Sequence, residues 1–121
     1  MTTAYNKFFI GGEWIAPSSS QTLDVINPAT EEVFATISLG TDADVDAAVK
    51  AATEAFPVWS NSSIEQRQQV LGNIINGLKA RSEELATAIS NEMGAPLSFA
   101  KAAQVGAGMA HFITASKILA N

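Results

Sequence analysis

The sequence predicts an α/β fold in which short strands come first and three helices follow. Three observations predict it. Apolar residues alternate in the first third, with Val33, Ala35, Ile37 and Leu39 on one face. From Thr41 onward the apolar period becomes helical, beginning with Val45, Val49, Ala52, Phe56 and Trp59. The 121 residues, 47% of them apolar, suffice for a small folded core and do not resemble a disordered chain.

The strands fall between about residues 7 and 39. Phe8–Ile10 and Glu13–Ile15 flank Gly11-Gly12, and two glycines tolerate the positive φ values of a tight hairpin turn. Pro17 to Gln21 reads as a polar loop. Thr22–Ile26 is a short strand stopped by Asn27-Pro28, since proline has no amide for a ladder. Val33–Leu39 ends at Gly40.

The helices fall between about residues 42 and 119. Thr41 is a suitable N-cap, with Asp44 three residues on as the capping-box partner. The second start is at Ser62-Ser63, followed by Glu65 and Gln66. Leu71, Ile74, Ile75, Leu78, Leu85, Ile89 and Met93 then keep one period as far as Gly94 and Pro96, which stop it. Unbroken, that helix is about 45 Å long at 1.5 Å per residue. The third begins near Leu97 or Ser98. Its faces of Ala102, Ala103, Gly106, Ala107, Gly108 and Ala110 are small enough for another backbone to approach.

Composition narrows the function. A net charge of −5, with seven Lys and Arg, disfavours nucleic acid and anionic membranes as partners. The absence of cysteine removes disulfides and thiolate ligands. The start MTTAYNKFF has no apolar signal region, and the uncharged stretch between Lys101 and Lys117 is too short to span a bilayer. A soluble cytoplasmic protein is the expectation.

Candidate sites give little chemistry. Asp42, Asp44 and Asp46 open like a calcium loop, but Ala47 and Thr53 stand where that loop needs Gly and Glu. Carboxylates in a first helical turn favour the macrodipole instead. Gly106-Ala107-Gly108 lacks the third glycine of a dinucleotide fingerprint, His111 taking its place, and no strand precedes it. His111 is the only histidine and has no nucleophile paired with it in sequence. Trp14 and Trp59 fit apolar faces and are expected in the core, while Lys79 and Glu83 form a one-turn surface pair.

The order of segments is more telling. Phe9-Ile10-Gly11-Gly12-Glu13-Trp14 is followed by Val25-Ile26-Asn27-Pro28-Ala29-Thr30. Leu39 to Val49, Ala55-Phe56-Pro57-Val58-Trp59-Ser60, Arg81 to Ala86 and Glu92-Met93-Gly94-Ala95-Pro96-Leu97 come next. In this order and spacing, from about Tyr5 to about Leu119, the chain closely resembles the aldehyde dehydrogenase superfamily.

That resemblance implies an enzyme using NAD or NADP to oxidise an aldehyde to a carboxylic acid. A cysteine attacks the aldehyde, hydride passes to the nicotinamide, and a glutamate activates water for thioester hydrolysis. In the family the cysteine, the glutamate and the main cofactor contacts lie downstream of the matched region. The implied role of residues 1–121 is therefore the N-terminal part of the cofactor-binding domain, an incomplete dinucleotide-binding domain without the catalytic domain, catalytic residues or cofactor-binding residues. Its partners are the remainder of the polypeptide, the aldehyde and further copies in a homo-oligomer. Some members also bind a monovalent cation through carbonyls just before the Asn-Pro-Ala motif and an acidic side chain before Gly-x-Pro. Those positions here are Val25, Ile26 and Glu92, and Glu92 stands where many members carry Asp. Ala95 stands where many carry Lys, which points to a subgroup. The competing reading is a stand-alone, non-catalytic interaction domain derived from that fold.

Overall fold

The computed structural model describes residues 3–119. The outermost two residues at each end of the 1–121 assignment lie outside that range. The chain divides into two compact units, Met1–Asn61 and Ser62–Asn121.

The first unit holds five strands and a helix: β1 (Thr3–Tyr5), β2 (Phe8–Ile10), β3 (Glu13–Ile15), β4 (Thr22–Asn27), β5 (Glu32–Ser38) and α1 (Asp42–Ser60). β2 and β3 form an antiparallel hairpin, with Phe9 opposite Trp14. Gly11 and Gly12 make its turn at φ 63° and 88°, the doubly positive geometry that a side chain resists. The other strands form a sheet in the order β1-β5-β4. β4 runs antiparallel to β5, with a register irregularity between Val25 and Ile26, and β1 runs parallel to β5. The strands thus begin at Thr3 rather than near residue 7. Three residues paired with a strand some 30 positions away leave no local pattern to read.

The alternating face of β5 is only partly covered. Ala35 is 2% exposed, whereas Val33 and Ile37 stay open. The tryptophans are not core residues either: Trp14 is 66% exposed, beside the Phe9 ring at 5.2 Å, and Trp59 is 46% exposed. An apolar side chain on a periodic face is buried only as far as another element lies against it, and these two are covered only in part.

The second unit is helical. α2 (Ile64–Ala80) starts at a capping box: the Ser63 amide donates to Gln66 Oε1 at 2.8 Å, and the Gln66 amide to Ser63 Oγ at 3.2 Å. The expected 45 Å helix is broken. Arg81, at φ −107° and ψ 19°, ends α2 and precedes α3 (Ser82–Met93). Basic Lys79 closes α2, and Glu83 with Glu84 opens α3, so each end carries the charge its dipole favours. The break removes the Lys79/Glu83 pair. Glu83 pairs instead with Lys101, and Arg81 Nε donates to Glu84 Oε2 at 2.8 Å.

Gly94 ends α3 in the left-handed region at φ 71°. A final helical run follows as α4 (Leu97–Phe99), a π-helical segment (Ala100–Gln104) and α5 (Val105–Ile118). Its start at Leu97 agrees with the sequence, whereas the π turn was not expected. The unit's core is small: Ala86 and Ala100, each 0% exposed, with Val105, packed by Leu85 and Ile89. Two alanines let α3 and the π segment approach closely. Gln68 Nε2 donates to the Ser116 carbonyl at 3.1 Å and ties α2 to α5.

Candidate functional site

A polar cluster joined by four hydrogen bonds to Asp44 sits at the start of α1. Thr41 caps the helix in extended backbone and Asp44 is the third helical residue, which aims its carboxylate back at the open amides of the first turn. Asp44 Oδ2 accepts from the Thr41 amide at 2.8 Å, from Thr41 Oγ1 at 3.0 Å and from Ser18 Oγ at 2.8 Å. Oδ1 accepts from the Ser18 amide at 3.0 Å. The Thr41 amide bond is the chief reason that the carboxyl lies below its ordinary range. Desolvation opposes that shift, and the Ser18 and Thr41 hydroxyls and the Ser18 amide reinforce it. Every partner is a donor stabilising the anion, so Asp44 is a fixed hydrogen-bond acceptor rather than a base. It pins the loop after β3 to the helix.

Asp42 and Asp46 face solvent while Asp44 turns inward, so the three carboxylates do not converge. Among the described residues no group of three or more His, Asp or Glu side chains is placed to hold a metal. Gly106, Ala107 and Gly108 lie inside α5 with no turn, and His111 is exposed on the same helix.

The cation candidates fall on both units. Val25 and Ile26 flank the irregularity of β4, where a ladder loses its regular pairing. Glu92 is exposed in the last turn of α3. Ser18 was not singled out from the sequence. Its bond to Asp44 spans 26 positions, and nothing local distinguishes it from Ser19 or Ser20.

Among the clefts formed by the described residues, two are set within one unit each. In the first unit the hairpin and α1 enclose an open cleft of about 530 Å³, lined by Phe9, Gly11, Gly12, Ala48, Ala51 and Ala55. In the second, an apolar cleft of about 180 Å³ lies among Leu78, Leu85, Ile89, Met109 and Phe112. Neither contains a nucleophile beside a base.

The model of the aldehyde dehydrogenase family matches residues 14–120. The chain belongs to the aldehyde dehydrogenase family. The 3-succinoylsemialdehyde-pyridine dehydrogenase of a Pseudomonas species is 45% identical over 116 residues, which are 95% of this chain and 24% of that enzyme. The solved aldehyde dehydrogenase of Bartonella henselae superposes at a TM-score of 0.95 and 39% identity, covering 98% of this chain and 25% of that one. Aldehyde dehydrogenase C of Pseudomonas syringae, solved with NAD+ and octanal, superposes at 0.94 and 50% identity over 96% of this chain and 24% of its own. The chain thus spans about a quarter of the length of these aldehyde dehydrogenases, and its strands and helices correspond to their N-terminal part.

Proposed function

We propose that this chain is the N-terminal part of an NAD(P)-dependent aldehyde dehydrogenase that oxidises an aldehyde to a carboxylic acid, and that alone it is inactive. One observation carries the reading: the match takes in 95% of this chain and 24% of the relative, and the chain contains no cysteine to act as nucleophile. NAD+ bound by the Pseudomonas syringae enzyme supports NAD as the cofactor, and its octanal supports an apolar aliphatic aldehyde as substrate.

The described residues do not themselves fit a dinucleotide. Gly106 and Gly108 lie inside a helix, and Gly11-Gly12 close a hairpin instead of opening a helix toward a pyrophosphate. The cofactor contacts belong to the remainder of the polypeptide. The part played here is a framework for the cofactor-binding domain, built on the β1-β5-β4 sheet and the helical unit. The whole enzyme works in the cytoplasm as a homo-oligomer. No helix among the described residues is long and apolar enough to cross a membrane, and the −5 charge disfavours an anionic surface. Where a monovalent cation is bound, the Val25 and Ile26 carbonyls and Glu92 are its ligands from this part.

The test is direct. The purified 121-residue chain is incubated with octanal and NAD+ or NADP+, and reduced cofactor is followed by absorbance. No aldehyde-dependent signal is expected. Sustained turnover that co-purifies with the chain overturns the proposal.

A further inference from the structure

We draw no further inference here: the strongest candidate, the apolar cleft among α2, α3 and α5 lined by Leu78, Leu85, Ile89, Met109 and Phe112, carries none because nothing in the structure shows what covers it, and the unpaired Gln104 Oε1 beside it is itself closed off from any approaching donor.

Discussion

Replacing Val49 and Phe56 on α1 by glutamate should make the isolated chain markedly less prone to associate. The chain exposes 8759 Å². Two separate folded proteins of half its mass, 12.7 kDa, together expose about 7,500 Å². The excess over two separate units is therefore about 1,300 Å². A standard protein interface takes about 800 Å² from each partner. Much of the open surface is apolar: Val49 is 58% exposed, Phe56 63% and Val58 80%. Burying the open part of two such side chains stabilises association by about 3 kcal/mol, or about a hundredfold in Kd. Folding should change by only about 0.5 kcal/mol per site, because neither side chain is buried to begin with. Glutamate also takes the net charge further from zero, which favours solubility. Sedimentation velocity and binding of a dye that reports exposed apolar surface would be compared for the wild type and V49E/F56E. The wild type should associate and bind dye, and the variant should do less of both. A wild-type chain that is a sharp monomer at high concentration, unfolds cooperatively and binds no dye would refute the argument. It would favour the stand-alone interaction domain instead.

Three further outcomes are expected. Gly94→Ala should lower stability by about 1 kcal/mol, read from the urea midpoint, because φ 71° is strained for any residue with a Cβ; an unchanged midpoint would show that α3 does not need its left-handed end. Asp44 has a carboxyl depressed in the folded state, so its contribution is present above the ordinary carboxylate range and lost as pH falls through the folded value. The urea midpoint of the wild type should drop on acidification more than that of Asp44→Asn, and parallel curves would count against the Ser18–Thr41–Asp44 cluster as a stabilising contact. In crystals of the full-length protein grown with thallium, anomalous density should appear near the Val25 and Ile26 carbonyls; a flat map there would remove the cation from the proposal.

What was legible in the sequence is what local chemistry decides. Gly11-Gly12 set the hairpin because both positions need positive φ, and its strands run from Phe8 to Ile10 and from Glu13 to Ile15 as read. The capping boxes at Thr41/Asp44 and Ser63/Gln66 and the left-handed Gly94 are local in the same way. The break at Arg81 escaped because Leu78 and Leu85 are two turns apart and keep the apolar period across it. Its signal was the change of charge sign, from Lys79 and Arg81 to Glu83 and Glu84. The π segment has no such signal, since one wider turn among alanines alters no pattern. β1 and the Ser18 bond to Asp44 depend on distant partners, which no window of sequence contains.

The stripe of Val45, Val49, Phe56 and Trp59 shows where periodicity stops being informative. It located α1 correctly, and the capping box confirms the residue at which the helix starts. Periodicity reports that a face is suited to burial, because apolar side chains recur on it; it does not report against what. In this chain those four side chains are 46% to 63% exposed, so the element forms with its face only partly covered. Residues that cap and residues that pack thus answer to different parts of a protein. The cap needs only its own helix and one nearby loop, and Thr41, Asp44 and Ser18 all lie within the first unit. The stripe needs a second surface, and the described residues cover it only in part. On the proposed reading that surface belongs to the three quarters of the relatives' length with no counterpart here. On the same reading the catalytic residues lie in that unmatched length. Association of the isolated chain and its lack of turnover are then expected together, and a variant that cures the first should leave the second unchanged.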